Sequence, residues 1–228
     1  MQTEMEKEME TGKFSNPTYL DYLSSGLVPL LCNGYHPRYN PGRVYKTAKI
    51  PTFDGWNSPE YIPPTLEEIR EWEKTGGWTG WRMPKGLIAL DVEESHDIDR
   101  VGEICRARGI EPGIHVTNNG KHFLFSTDLD LPASSKVFTK CGVKVTYRAG
   151  LKSQLILCPT NGRTWALWKK PEELPHISDE LLPYDRKSLH DVMNCLSWQV
   201  AHAYREGRLS GYDDIDAAFM ALLIECGL

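Results

Sequence analysis

The sequence predicts an α+β fold, a mainly antiparallel sheet that carries a few helices. Three observations predict it. Two β-prone runs, Gly113-Ile-His-Val-Thr117 and His122-Phe-Leu-Phe125, flank Asn118-Asn119-Gly120, and Asn-Gly between such runs is a hairpin signal. Gly86-Leu-Ile-Ala-Leu90 is a continuous apolar run that stops at acids, as a strand buried on both faces does. Helical spacing is confined to a few segments, and the central order is strand, helix, hairpin, hairpin.

The elements follow in order. Residues 1–15 open with the acidic, polar stretch Met1 to Glu10 and read as a disordered tail. Thr18 to Ser25 suits a short helix, and Gly26-Leu-Val-Pro-Leu-Leu-Cys32 a strand. Asn33 to Pro64 is rich in Gly, Pro, Asn and Tyr and reads as loops and turns. Thr65 is placed to cap a helix, with Glu67 and Glu68 near the positive end of its dipole. Leu66, Ile69 and Trp72 keep helical spacing until Gly76-Gly77. Asp97 to Arg108 is helical, with Ile98, Val101, Ile104 and Cys105 on one face and Gly109 as its stop. After the hairpin, Val143 to Tyr147 and Gln154 to Cys158 read as a second strand pair around Arg148-Ala-Gly-Leu-Lys152, and Thr164 to Trp168 as a last strand.

A main domain over 16–170 is expected. Residues 171–185 read as a linker by composition, and 186–228 as a helical appendage, cut as though a helix met its next partner there. Leu189, Val192, Met193, Leu196, Val200 and Tyr204 fit one helix face, and Ile215, Ala218, Phe219 and Leu222 a second.

Composition narrows the function classes. With 228 residues, 40% hydrophobic and 25% charged, the chain is an ordinary globular sequence that can build one sizeable core. No apolar run reaches the roughly 18 residues of a membrane span, and the N-terminus lacks the basic and apolar regions of a secretory signal, so a cytoplasmic protein without membrane partners is expected. The six cysteines are too scattered for a zinc site or a disulfide framework and are expected to be reduced thiols. A formal net charge of -5 argues against nucleic-acid binding by the whole surface, but a local basic face remains open.

Three segments carry chemistry. Asp91 and Glu93 stand at i and i+2 at the end of the apolar strand, so strand geometry aims both carboxylates the same way. Converging carboxylates call for a cation, and hard oxygen donors suit Mg²⁺ or Mn²⁺, although a lone Asp-x-Glu also serves merely to end a strand in solvent. His122 opens a strand after the tight turn with Lys121 beside it, and both can donate to phosphate oxygens; His115 on the preceding strand competes for the same role. Lys136, Lys140, Lys144, Arg148 and Lys152 space positive charge along one sheet edge, which suits a triphosphate or a template backbone as well as a solvated strand face.

With these segments in this order, residues 18–170 resemble the bifunctional primase-polymerase domain of the archaeo-eukaryotic primase superfamily. The family's early Gly-x-x-Val-x-Pro-Leu strand is loosely matched by Gly26-Leu-Val-Pro-Leu-Leu31, and its Lys-x-Pro…Gly-Trp stretch by Lys49-Ile-Pro51 and Gly55-Trp56 ahead of a helix ending near Trp72. Its first motif, an apolar strand ending Asp-x-Asp or Asp-x-Glu, is matched by Asp91 and Glu93, and its second, a Gly-rich turn before His, by Asn119-Gly-Lys-His-Phe-Leu-Phe125. Its third, a Gly-Val-Asp-Val-Arg strand leading to an apolar strand ending in Pro, is matched by Gly142-Val-Lys-Val-Thr146 and Leu155-Ile-Leu-Cys-Pro159, with Lys144 in place of the Asp and Thr146 in place of the Arg.

The resemblance implies an RRM-like antiparallel sheet with an N-terminal αβ module, and template-directed nucleotidyl transfer from NTPs or dNTPs on DNA. Asp91 and Glu93 would bind Mg²⁺ or Mn²⁺, and His122, with Lys121, Arg148 and Lys152, would contact nucleotide or template phosphates. Such domains head replication proteins of plasmids, phages and integrated elements, often ahead of a helicase. Lys144 raises the alternative of a catalytically inactive domain that binds nucleic acid and positions a helicase. A rolling-circle nicking nuclease is disfavoured, because His115 has no histidine two residues away.

Overall fold

The computed structural model describes residues 16–130 and 134–183; the helical appendage expected over 186–228 lies outside them. Two antiparallel sheets with few helices make the chain α+β. The chain divides into two units, Met1–Leu182 and Pro183–Leu228.

The first described element is α1 (Tyr19–Ser24), whose N-cap Thr18 and N3 residue Asp21 form a reciprocal capping box. Strand β1 (Val28–Cys32) follows, and the loop 33–64 holds one short helix, α2 (Tyr45–Ala48). Helix α3 (Leu66–Lys74) starts at Thr65 with a capping box to Glu68, where the sequence expects it. Next come β2 (Trp78–Arg82), β3 (Leu87–Val92) and α4 (Ser95–Arg108), which ends at Gly109 in the left-handed conformation. The hairpin of β4 (Gly113–Val116) and β5 (Lys121–Ser126) is followed by β6 (Ser134–Phe138), β7 (Lys144–Ala149), β8 (Gln154–Ile156) and β9 (Thr164–Leu167).

The larger sheet has the order β6-β7-β3-β5-β4-β9, and the smaller one β1-β2-β8. Strand alternation decides what lies on each face of the larger sheet. Ile88, Leu90, Val92, Phe123, Phe125, Val145 and Tyr147 pack with Val101, Ile104 and Cys105 of α4. Leu87, Ala89 and Leu124 point the other way, onto Tyr22 of α1 and Trp81 and Leu155 of the smaller sheet. Strand β3 is thus buried on both faces, as its apolar run requires. A third cluster, Leu30, Cys32, Ala48, Trp78 and Ile156, covers the outer face of the smaller sheet.

Two sequence expectations are corrected. The strands read as one pair, Val143–Tyr147 and Gln154–Cys158, part company: β7 lies between β6 and β3, whereas β8 pairs with β2 in the other sheet. The turn at Gly150, with φ at +64°, lets the chain leave one sheet for the other. The composition-based linker is not free over 171–182. Leu174, Ile177 and Leu181 are buried, Ser126 N–H donates to the Pro175 carbonyl at 2.9 Å, and Tyr147 Oη donates to the Leu181 carbonyl at 2.6 Å. Its prolines suit an extended strap whose backbone bonds to the end of β5 and to the turn after β6 rather than a solvent-bathed linker.

Candidate metal and phosphate site

The site grows from the register of three strands. Asp91 of β3 lies opposite His122 of β5 on one side and Thr146 of β7 on the other. Two residues along β7, Arg148 shares the face of Thr146, and its Nη2 reaches Asp91 Oδ2 at 3.0 Å. His122 Nε2 stands 3.5 Å from Asp91 Oδ1. Burial pushes the Asp91 carboxyl up, but the neighbouring His122 ring and the Arg148 guanidinium outweigh it and hold the group well below the ordinary carboxylate range.

Behind His122 sits His115, fully buried on β4 and opposite it in register. The Cys158 backbone N–H donates to His115 Nε2 at 3.0 Å. A neutral imidazole that accepts at Nε2 carries its hydrogen on Nδ1, and that atom lies 3.1 Å from His122 Nδ1. His122 therefore accepts at Nδ1 and keeps its own hydrogen on Nε2, the atom 3.5 Å from Asp91 Oδ1. The partners fix both tautomers.

Asp91 and His122 open into a cleft between the two sheets. Glu93, Arg148 and the hairpin-loop residues Thr117 and Asn119 line it with them, and Tyr45, Lys49, Gln154 and Arg163 complete its far wall. Glu93 is exposed just past the end of β3 and shares the cleft with Asp91. Gly120 lets the hairpin loop close on that strand end: a Cβ there would meet the Val92 carbonyl oxygen at 2.0 Å and Glu93 Cα at 2.8 Å. A larger apolar hollow lined by Leu31, Phe53, Tyr61 and Pro63 lies elsewhere and holds none of these groups.

Of the residues singled out in the sequence, Asp91, Glu93, His122 and Arg148 come together. Lys121 does not: alternation along β5 puts it on the face of Phe123 and Phe125, away from His122. Lys152 is exposed in the turn between β7 and β8 and lines no part of the cleft. Lys144, exposed at the start of β7, lines an adjoining hollow with Asp91, Glu93 and Glu94. Arg163, Tyr45 and Gln154 carry no local signal, since only the packing of the two sheets brings them to the cleft.

Among the described residues no group of three or more His, Cys, Asp and Glu side chains is arranged around a common metal position. Two carboxylates fit one Mg²⁺ or Mn²⁺ that keeps several waters and completes its shell with substrate phosphate. The adjoining hollow adds Glu94 but also presents Lys144, so a second ion there would meet an ammonium. No protein-family model matches the chain, and no curated protein matches it.

Proposed function

We propose that the unit is a primase-polymerase-like domain that carries out template-directed nucleotidyl transfer on DNA from NTPs or dNTPs. The observation that carries this reading is the register Asp91–His122 with Glu93 and Arg148 in one cleft, a carboxylate pair beside phosphate donors. The strand order β7-β3-β5-β4 supports an RRM-like core. Numbered along the chain it is 4-1-3-2 with α4 after the first strand, the ferredoxin-like order, with α1, β1 and the smaller sheet as the N-terminal αβ module. Between β5 and β7 the chain carries the edge strand β6, a departure from that pattern.

Asp91 and Glu93 would hold Mg²⁺ or Mn²⁺, which supplies neutralisation of the triphosphate charge when bound. The side chains do the rest. His122 presents its Nε2 hydrogen to a phosphate oxygen once Asp91 turns to the cation. Arg148 spends one nitrogen on Asp91 and keeps other donors for the nucleotide. Gln154, Leu155 and Ile156 of β8 form part of the cleft wall against which the triphosphate would lie.

A second reading, a domain that binds nucleic acid and positions a replication helicase without synthesis, draws on Lys144. It takes the place of the third acid in the motif of the family the chain resembles, and it lines a hollow with Asp91, Glu93 and Glu94. Incubating the protein with primed and unprimed template, NTPs or dNTPs and Mn²⁺ separates the two. Product from the native chain and none from Asp91→Ala supports synthesis; no product with DNA binding retained supports the second reading.

We propose the cytoplasm as its compartment. Cys32, Cys105, Cys141 and Cys158 are unpaired, and burial pushes the Cys32 thiol up to about 12 and the Cys105 thiol up to about 11, as inert core thiols behave. Among the described residues no helix is long and apolar enough to cross a membrane.

A further inference from the structure

Arg163 precedes β9 after the turn Thr160–Gly162 and is only 3% exposed, yet it lines the cleft. All its partners are neutral. Nη1 donates to the Thr160 carbonyl at 3.3 Å, Nη2 donates to the Tyr45 hydroxyl at 2.8 Å, and the guanidinium lies 5.5 Å from the Trp78 ring centroid. Nε is buried with no acceptor. Among the described residues no carboxylate pairs with Arg163.

A guanidinium cannot relieve its burial by losing a proton, so the charge persists in a site that removes most of its hydration. Carbonyl and hydroxyl oxygens and an aromatic face offset part of that cost, and a counter-anion offsets far more. A second cation stands next to it. Lys49 Nζ lies 5.1 Å from the Tyr45 ring centroid, Lys49 also lines the cleft, and Gln154 Nε2 donates to its carbonyl at 2.5 Å. Arg163 and Lys49 thus flank one tyrosine without an acid between them.

We propose that Arg163, Lys49 and Tyr45 form a phosphate-binding wall of the cleft. A phosphate group offers several oxygens and the charge that two cations call for. Its source is a nucleoside triphosphate or the backbone of a strand. The assignment rests on the reading of the cleft as a nucleotide site, but it is tested by binding, without synthesis.

Isothermal titration of the full chain with inorganic pyrophosphate, with a dNTP in the absence of metal, and with a short single strand lacking a 5′ phosphate tests it. Saturable pyrophosphate binding is expected, weakened on the order of tenfold in Lys49→Gln and in Arg163→Gln, the loss of one charge-assisted contact. Lys49 is exposed, so Lys49→Gln carries the test if Arg163→Gln does not fold. Displacement of pyrophosphate by the dNTP assigns the wall to the triphosphate, and displacement by the strand assigns it to the backbone; either supports the site. No saturable binding of any probe, or native affinity in every variant that folds, overturns it. Intact pyrophosphate binding without DNA synthesis would overturn the polymerase reading alone.

Discussion

The Nδ1 atoms of His115 and His122 lie 3.1 Å apart in neighbouring strands, and the Cys158 amide holds the far side of the His115 ring. His115 is therefore a positioning residue. Without its Nδ1 hydrogen, His122 is free to adopt the other tautomer, which turns a lone pair rather than a donor toward Asp91 and the cleft.

His115→Gln preserves both roles, because its amide oxygen can accept from Cys158 N–H and its nitrogen can donate to His122. His115→Phe preserves only bulk. Ring ¹⁵N chemical shifts are expected to show His122 protonated at Nε2 in the native protein and in the Gln variant, and mixed in the Phe variant. Nucleotide affinity should fall on the order of tenfold in the Phe variant alone. Identical tautomers in all three would remove His115 from the site.

Stability should fall in mild acid through the same residue. Burial above all pushes the His115 imidazole down from 6.5 to about 2. Below pH 6.5 the unfolded chain takes up a proton that the folded chain refuses until about pH 2, so this contribution is full above 6.5 and declines as pH falls. The slope approaches about 1.4 kcal/mol per pH unit. The depressed Asp91 carboxyl acts in the same direction only at lower pH, beginning near its unfolded value of 3.8. Denaturant midpoints between about pH 7.5 and pH 5 should drop in the native protein and drop less in His115→Gln; equal slopes refute the assignment.

Gly120→Ala should disturb the carboxylates without touching them. The new Cβ has no room against Val92 O and Glu93 Cα, so the hairpin loop or the end of β3 must move. A loss of about 1–3 kcal/mol in denaturant unfolding is expected, with weaker Mn²⁺ binding. Native stability in this variant would show that the loop yields freely.

Lys144→Asp should create a stronger metal site. The substitution changes the charge beside Asp91, Glu93 and Glu94 by two units and adds oxygen donors to a hollow that already holds three acids. Titration calorimetry with Mn²⁺ is expected to show a gain of at least roughly tenfold, since ligand charge count tunes such affinities. An unchanged affinity would mean that residue 144 lies outside the reach of the ion.

Tyr147→Phe tests the strap at 171–182. Its hydroxyl is the described donor to the buried Leu181 carbonyl, and the loss should cost about 1–3 kcal/mol. Faster limited proteolysis near Leu181 would accompany it; a protease-resistant strap of native stability would show that apolar packing alone holds the segment.

Local physics made much of this protein legible in its sequence. Thr18 and Thr65 begin helices and Gly109 ends one, because capping depends on residues within a single turn. Asp91 and His122 were identifiable for a similar reason: one ends an apolar run and the other opens a strand after a tight turn. Strand β2 was not legible. Its Trp-Thr-Gly-Trp-Arg sequence lacks β-branched aliphatics, and the neighbours of Gly80, the Cys32 thiol and the Gln154 side chain, come from distant strands.

The sequence by itself determined the α+β class, the hairpin and the two carboxylates at the end of β3. The tertiary structure decided which sheet each strand joined, that Lys121 and Lys152 stand outside the cleft, and that Arg163 and Lys49 stand inside it. Caps and turns are set by neighbours a few residues apart. Strand partners and cleft walls are set by burial between distant segments, and shifting a strand by one residue exchanges the side chains it presents. The Asp91–Glu93 pair and Arg148 were therefore visible in the chain, while Arg163 and Lys49 joined the cleft only when the two sheets packed.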